Sequence, residues 1–369
     1  MRTVVFALLV VLANTFGSGA SAQSTAVTDR VFPAAEWERI VRPESVGYSS
    51  AGLDQVKAKL STMPTTGFMA IVGGRVLLEY GDVQRVSYLA SARKSVLSIL
   101  YGIYRERGRI DLNKTLAQIG IDDIGGLSAE EKQATVYDLL RARSGVYHAA
   151  SNPGDNLPSA PPRGSQKHGT YFLYSNWDFN ALGTIFEKET GVNIYDALQR
   201  DLAAPLGMRD FDRAAQQKAG DLTLSIHPAY HMWLSTRDMA RIGYLMLRRG
   251  KWNGRQIVPE AWVKESTSLQ TPRMETNPAH MRNGVFGYGY LWWVFDHPRK
   301  SADNEGAFVA LGALGQDILV VPSLDLVVVH KTAPDAGGEV SEVDFFNVVD
   351  ILLGARCGPA PRVACSAGK

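Results

Sequence analysis

The order of hydrophobic and polar positions places strand patterns at both ends of the chain. Residues 49–63 have apolar positions at helical spacing behind a serine, which predicts a capped amphipathic helix. Two apolar runs within 67–82 flank a Gly-Gly pair, which predicts a β-hairpin. After residue 284, runs of β-branched and aromatic residues broken by turn residues predict further strands, and 341–355 follows as a closing helix.

Helical patterns and loops fill the middle of the chain. Four segments with helical spacing stop at or near a glycine: 135–146, 178–191, 194–208 and 235–250. Residues 149–170 are rich in Pro, Gly and Ser and predict a long loop, and such loops often carry function. This order predicts an α+β fold in which an antiparallel sheet is built from about 45–107 and 284–356. Terminal helices would flank that sheet, and an all-helical lobe of about 108–283 would be inserted, with a cleft at the junction.

The first 22 residues have the pattern of a secretory signal peptide. One arginine precedes an apolar run, and small residues follow up to Ala20-Ser21-Ala22. The apolar run is too short for a membrane anchor. We therefore expect cleavage after Ala22 and a soluble periplasmic or secreted protein. The two cysteines, Cys357 and Cys365, lie in a Gly/Pro-rich tail (357–369), where we expect a local disulfide bond.

Charge and composition exclude several kinds of partner. The formal net charge is +2 and no basic run occurs, which argues against a nucleic-acid partner or an anionic membrane surface. His227 and His231 have ligand-like spacing, but a proline intervenes and the glutamate of an H-E-x-x-H motif is missing. We expect no metal and no organic cofactor. The chain has no G-x-S-x-G motif, so an α/β-hydrolase elbow is not predicted.

A serine and a lysine three residues apart point to nucleophilic chemistry. In the segment YLASARKSVLSILYGI (88–103), Ser91 and Lys94 lie on one face at the start of an apolar helix. Backbone N–H groups there would stabilise an oxyanion, and burial would lower the pKa of Lys94 so that its amine accepts the Ser91 proton. Alternatively, Ser91 only caps the helix and Lys94 reaches water. The same spacing in the C-terminal tail, Ser366 to Lys369, has no such context.

A second polar pair, Tyr174 and Asn176, precedes the next apolar helix pattern. In a catalytic role, Tyr174 would be a phenol whose pKa is lowered by a nearby ammonium and which shuttles a proton. Asn176 would donate its side-chain amide to the substrate. In a structural role, Ser175 and Asp178 would form a capping box, and Tyr174 would pack on the first turn.

Taken together, these two motifs resemble those of the serine β-lactamase and penicillin-binding-protein superfamily. More specifically, the chain is similar to the class C β-lactamase-related serine hydrolases, which include esterases and 6-aminohexanoate-dimer hydrolases. Further stretches match that family in order: 139–146, 174–191, 204–208, 235–263 and 318–329. The resemblance implies a β-lactamase-like hydrolase domain within 23–356, a Ser91 acyl-enzyme, and proton transfer by Lys94 and Tyr174.

The family's third motif, Lys-Thr-Gly or His-x-Gly, is not reproduced here. The similar tripeptide 331–333 falls on the strand after the expected one, so the equivalent segment is 312–317. There the basic residue is replaced by Ala313 or a neighbour. Glycines still allow the backbone to approach a substrate, and we expect Gly315 or Gln316 to supply the second oxyanion donor.

The missing cation bears on the substrate. Penicillins and D-Ala-D-Ala peptides carry a carboxylate that needs a fixed positive charge, so neutral esters or amides are favoured unless Arg143 or Arg163 supplies it. Tyr147, just before the long loop, would line the pocket or anchor the loop. We therefore expect an exported serine hydrolase acting on small esters or amides.

Two alternatives stay open at this point. One is a β-lactamase or D,D-peptidase with cell-wall-type substrates. The other is a non-catalytic scaffold of the penicillin-binding kind, which predicts damage to Ser91, Lys94 or Tyr174, and all three are present.

Overall fold

The structure is a computed structural model that describes residues 30–297, 303–358 and 365. The predicted signal peptide and the tail pair Ser366 and Lys369 lie outside the described residues. The α-helices are α1 Ser50–Leu60, α2 Arg93–Glu106, α3 Leu116–Ile119, α4 Val136–Leu140, α5 Asn176–Thr190, α6 Ile194–Leu198, α7 Ala204–Leu206, α8 Thr236–Leu247, α9 Glu260–Ser266 and α10 Glu342–Gly354. The strands are β1 Gly67–Val72, β2 Arg75–Gly81, β3 Ser87–Tyr88, β4 Gln217–Ala219, β5 Ala229–His231, β6 Trp233–Leu234, β7 Lys251–Trp252, β8 Arg255–Gln256, β9 Phe286–Tyr288, β10 Trp293–Phe295, β11 Phe308–Ala310, β12 Asp317–Val321 and β13 Leu326–Lys331.

One antiparallel sheet joins the two ends of the chain. Its seven strands follow the order β2-β1-β13-β12-β11-β10-β9, so the N-terminal hairpin pairs with the last strand of the chain. Gly67 lies opposite Lys331, and Val72 lies opposite Leu326. This arrangement confirms the predicted α+β fold with an antiparallel sheet built from both ends.

Both faces of the sheet are buried, each under a different layer of helices. Leu326 and Val328 of β13 pack with residues of α1 and α10 in one cluster. Val327 and Val329 point to the opposite face and pack with residues of α2, α5 and α8 in the larger cluster. Successive side chains on a strand point to opposite faces of the sheet. Because both faces are covered, the first four residues of β13 are all apolar.

Helix α8 lies within the stretch predicted to be the helical lobe, yet it packs directly on the sheet. Gly243 makes this close approach possible, because a Cβ there would lie 2.6 Å from Cγ1 of Val327 and 2.8 Å from Cγ2 of Ile318. The N-cap residue of α8, Ser235, accepts a hydrogen bond from the backbone N–H of Asp238. This bond satisfies one of the free N–H groups of the first turn.

The C-terminal tail is tied back to the start of the domain. Cys357 and Cys365 are disulfide-bonded across eight residues. The Cys357 amide donates to the carbonyl of Gly47, and the Cys365 amide donates to that of Glu44. Within the described ranges, none of the helices is both long and apolar enough to cross a membrane.

Candidate active site

Ser91 lies in the short 3-10 turn of residues 90–92 that leads into α2, and its side chain is partly exposed. Lys94 follows in the first turn of α2, with only 2% of its surface exposed. Its Nζ lies 3.0 Å from Ser91 Oγ. The predicted serine–lysine pair is therefore in hydrogen-bonding contact, and the lysine does not reach water.

The Lys94 amine is surrounded by hydrogen-bonding partners and aromatic rings. Its Nζ lies 2.6 Å from the Tyr174 hydroxyl, 2.8 Å from Asn176 Oδ1 and 4.4 Å from the ring centre of Phe179. A neutral amine has two N–H bonds and one lone pair. It can donate to Asn176 and Tyr174 while accepting the hydroxyl proton of Ser91.

Burial and a neighbouring cation favour this neutral form. Desolvation lowers the pKa of Lys94 well below its ordinary value, and the guanidinium of Arg93 lowers it further, while the Asp155 carboxylate opposes both effects. Lys94 is therefore placed to act as a general base.

Tyr174 differs from the prediction in its ionisation. Its hydroxyl lies in a desolvated position, and this burial raises the pKa of Tyr174 to about 12, although a hydrogen bond with Ser91 opposes the increase. The prediction of a lowered pKa assumed a neighbouring ammonium, whereas burial lowers the pKa of Lys94 and so favours its neutral amine. Tyr174 thus enters the site as a neutral phenol that can pass a proton on. Its ring stacks on Trp293 with centroids 5.5 Å apart, and Trp293 is partly exposed.

The start of α5 is not held by the predicted capping box. Ser175 occupies the N-cap position but its side chain makes no cap hydrogen bond, and its Oγ is buried without a partner. Asp178 instead accepts a hydrogen bond of 2.6 Å from Ser144. The first free amide of the helix, that of Asn176, donates to the Asp155 carboxylate at 2.8 Å. A loop residue therefore caps this helix.

Asn176 orients the lysine and does not present its amide to a substrate in this arrangement. The side chain is 2% exposed, and its Nδ2 donates to the carbonyl of Pro153 at 2.9 Å. The Asn176 side chain therefore joins Lys94 to the 149–170 loop. The amide that was predicted to face a substrate is occupied by this loop.

The turn between β11 and β12 brings Gly312 next to the nucleophile. A Cβ on Gly312 would lie 2.8 Å from the carbonyl oxygen of Leu89 and 3.1 Å from the amide nitrogen of Ala92. The amides of Gly315 and Gln316 both donate to the Gly312 carbonyl, at 3.2 and 3.0 Å. Both predicted oxyanion donors thus close this turn, and neither is available to a substrate oxygen here.

Lys331, the lysine of the misplaced tripeptide, is buried behind the site. It is 1% exposed, and its Nζ donates to the carbonyls of Ser87 and Leu234 at 2.9 and 2.6 Å. Desolvation lowers the pKa of Lys331 to about 7. Its amine is therefore held by backbone oxygens and does not replace the missing cation of the third motif.

Replacement of Lys331 by methionine is expected to flatten the pH dependence of stability. In the wild type the unfolded chain binds a proton on this amine up to its ordinary pKa of 10.5, whereas the folded chain releases it at about 7. The free energy of unfolding therefore rises with pH across this window, by several kcal/mol. Urea titrations of both proteins at several pH values measure the difference. Parallel stability curves for the two proteins would contradict the assignment.

The remaining predicted residues lie apart from this cluster. The Tyr147 hydroxyl is buried without a partner, and its ring meets that of Tyr171 at 6.4 Å. His227 bonds to Thr184 Oγ1 and to a backbone carbonyl, while His231 Nδ1 bonds to the hydroxyl of a tyrosine in β3. Among the described residues, no group of three or more His, Cys, Asp or Glu side chains is placed to hold a metal ion.

Sequence reasoning missed three residues of this site: Arg93, Asp155 and Trp293. Asp155 lies in the long loop already predicted to be functional, but no local pattern connects it to Lys94. Trp293 is brought onto Tyr174 by pairing in the sheet. Arg93 lies between Ser91 and Lys94 in the sequence. An arginine at such a position is normally predicted to be exposed on the helix surface, and only the structure shows that it is buried.

Replacement of Tyr174 by phenylalanine is expected to lower kcat/KM for an ester by about 100-fold, because proton transfer to the leaving group loses its relay. The ring and its stacking on Trp293 are retained, so the melting temperature should change little. Steady-state kinetics with activated and unactivated esters measure the effect, which should be smaller for a leaving group that needs no proton. Equal activity of the variant and the wild type on unactivated esters would remove Tyr174 from the mechanism.

A serine at a helix start, hydrogen-bonded to a buried lysine beside a phenol, is the arrangement typical of serine-nucleophile enzymes of the Ser-x-x-Lys type, and the sheet with its helical layers is the fold that presents it. The chain belongs to the β-lactamase family, whose model matches residues 53–348. It is therefore a member of a serine hydrolase family, as its sequence predicts.

Three individual comparisons show which known proteins the chain is similar to. The 6-aminohexanoate-dimer hydrolase of Paenarthrobacter ureafaciens is 24% identical over 347 residues, covering 84% of this chain and 83% of that protein. An uncharacterised protein of Alkalihalophilus pseudofirmus is 38% identical over 105 residues, and this match spans 27% of the chain and 30% of that protein. A solved penicillin-binding-protein homologue from Caulobacter crescentus shares the fold with a TM-score of 0.61 at 14% identity, covering 87% of this chain and 99% of that one.

Proposed function

We propose that this protein is an exported hydrolase that cleaves small, neutral esters or amides through an acyl-enzyme on Ser91. The observation that carries the proposal is the hydrogen-bonded set of Ser91 Oγ, Lys94 Nζ and the Tyr174 hydroxyl, at 3.0 and 2.6 Å from the lysine nitrogen. A nucleophile, a neutral base and a proton relay are the groups that acyl transfer requires.

The reaction follows from these positions. Lys94 takes the Ser91 hydroxyl proton as Oγ bonds to the substrate carbonyl carbon. The proton then passes through the Tyr174 hydroxyl to the leaving alcohol or amine as its bond to the acyl carbon breaks. In the second half, a water molecule gives its proton to Lys94 and its oxygen to the acyl carbon, and the proton returns to Ser91. The products are a carboxylic acid and an alcohol or amine.

The oxyanion of each tetrahedral intermediate needs two amide donors. The amide of Ser91 is the first. For the second, the amides of Ala313 and Leu314 have no acceptor among the described residues, and Ala313 is the one that directly follows Gly312. We assign the second donor to Ala313 in place of Gly315 or Gln316. Each such donor contributes about 3 to 4 kcal/mol of transition-state stabilisation.

Charge at the cleft supports a neutral substrate. The segment 310–316 carries no Lys, Arg or His. The two arginines considered as replacements are occupied, since Arg143 pairs with Glu275 at 2.5 Å and Arg163 pairs with Glu131 at 2.6 Å. A carboxylate-bearing lactam or peptide would therefore lack the fixed cation that its recognition requires. A relative named for hydrolysis of the 6-aminohexanoate dimer makes amides a reasonable substrate class beside esters.

The test is the intact mass of the protein after exposure to a short p-nitrophenyl ester and, separately, to a penicillin. We expect Ser91-dependent turnover or an acyl adduct with the ester and none with penicillin. A long-lived penicillin adduct on Ser91 would indicate that another cation binds the carboxylate and that the cell-wall class of substrates applies. No turnover and no adduct with either compound would favour the non-catalytic scaffold.

Export is the second part of the proposal and rests on the pattern of residues 1–22. Expression of the full chain in a bacterial host, followed by osmotic shock and N-terminal sequencing, should give a mature protein that begins at Gln23. Recovery of the uncleaved chain from the cytoplasmic fraction alone would contradict export.

A further inference from the structure

Arg93 is a buried cation within the motif that carries the nucleophile. It is 1% exposed and lies between Ser91 and Lys94 in the chain. Its Nη2 donates to Asn180 Oδ1 at 3.3 Å, its guanidinium lies 5.0 Å from the ring centre of Tyr230, and its buried Nε has no partner. In the described part of the chain, no carboxylate lies within ion-pair distance of this guanidinium.

An unpaired guanidinium at such a depth is costly. Buried charges are normally paired, since desolvation removes the hydration that stabilises them. A second buried cation, on Lys94, would add charge repulsion with Arg93 in a poorly screened environment. Arginine does not lose its proton in proteins, so the lysine is the group that gives up its charge.

Arg93 also holds the backbone in front of the nucleophile. Ala90 has φ of 47°, a left-handed conformation that alanine rarely adopts and that costs about 1 to 3 kcal/mol unless its surroundings enforce it. The Nη1 of Arg93 donates to the Ala90 carbonyl at 3.2 Å. This contact fixes the peptide that leads directly into Ser91.

We propose that Arg93 is a positioning residue that keeps the Lys94 amine unprotonated by its charge and holds the strained Ala90 peptide by its hydrogen bond. This role rests on the proposed function of the Ser91 site and extends it to a residue that does not touch the substrate.

The other titratable groups around the two cations do not provide this control. Burial raises the pKa of Tyr174 and of two further tyrosines near the guanidinium, so these phenols stay neutral and carry no compensating charge. Burial lowers the pKa of His231 to about 4, with Arg93 as its second cause, so this imidazole is neutral too. Asp155 is the one carboxylate that acts on Lys94, and it acts in the opposite direction to Arg93.

The pH dependence of ester hydrolysis tests the proposal. Arg93→Gln retains a side chain that can hydrogen-bond but removes the charge, so Lys94 should take up a proton at a higher pH. We expect kcat/KM on the acid limb of the pH profile to fall about tenfold further than at the alkaline plateau, where loss of the contact with Ala90 lowers it at constant Lys94 protonation. Arg93→Lys retains the positive charge but loses the guanidinium donors, including the one to Ala90. The pH at which its activity falls should therefore stay the same, while its kcat/KM at the alkaline plateau should be lower.

A second variant keeps the test decisive when Arg93→Gln does not fold. Asn180→Asp places a carboxylate 3.3 Å from Arg93 Nη2 and neutralises the cation in place. This variant should also shift the acid limb of the kcat/KM profile to higher pH. Arg105→Gln is the matched control, because it removes a partly exposed arginine from the same helix and should leave the limb unchanged.

The outcomes separate this inference from the proposed function. An acid limb unmoved in the variants that fold, or activity lost equally at every pH, would overturn the role of Arg93 while Ser91-dependent turnover by the wild type still stands. Absence of any Ser91-dependent turnover by the wild type would overturn the proposed function itself, and the role of Arg93 with it.

Discussion

Replacement of Ser91 by alanine is expected to lower kcat/KM for a p-nitrophenyl ester by about 10⁴- to 10⁶-fold, with the protein still folded. The change removes the atom that bonds to the acyl carbon, and the amide donors alone retain only a small part of the rate enhancement. Ser91 is partly exposed, so loss of its hydroxyl leaves no cavity in the core. Steady-state kinetics, intact mass and thermal melting measure the three quantities.

A matched control lies about two turns further along the chain. Ser98 is in the same helix, is fully buried and has an Oγ without a hydrogen-bond partner. Ser98→Ala should leave kcat/KM within a factor of two or so of wild type, because its hydroxyl touches none of the reacting groups. Wild-type activity in a clean preparation of Ser91→Ala would show that the nucleophile is a different residue.

Replacement of Lys94 by methionine is expected to lower kcat/KM by about 10³-fold or more, because the Ser91 hydroxyl loses the base that takes its proton. The methionine retains the apolar part of the lysine, and its methyl group can fill space next to the rings of Tyr174 and Phe179 that the amine faces. Circular dichroism should show an unchanged fold. Single-turnover kinetics would assign the loss to acylation.

The pH dependence of activity tests whether the titration of the Lys94 amine controls the rate. The folded-state pKa of Lys94 lies well below its ordinary 10.5, and the active form is the neutral amine. Wild-type activity is therefore fully present above that lowered pKa and is lost as the pH falls through it. The residual activity of Lys94→Met should lack this limb. An acid limb that persists unchanged in the variant would assign the titration to another group.

Local spacing was sufficient to predict much of the fold. The hairpin of β1 and β2, helix α1 and the closing helix α10 form where the hydrophobic pattern places them, because strand and helix periodicities depend on neighbours in the chain. The contact of Ser91 with Lys94 was predictable for the same reason, because residues three apart on a helix lie on the same face.

Contacts between segments that are distant in the chain cannot be predicted from local spacing. Tyr174 is 80 residues from Lys94 in the chain, and only the packing of α5 against α2 brings the two side chains to 2.6 Å. The direction of the pKa shift of Tyr174 depends on whether the lysine beside it is charged, which burial decides. In the same way, Asn176 contacts the loop and not a substrate because residue 153 folds over it.

The sequence by itself therefore determined the class of fold and the contact between Ser91 and Lys94, because these depend on periodicity and on spacing within one helix. Only the tertiary structure decided in which direction the pKa values of Lys94 and Tyr174 shift. Desolvation and the field of a buried Arg93 act through space, and no stretch of sequence records how deeply a side chain will lie or which charges will face it. The lowered pKa of Lys94 is therefore a property of the folded protein.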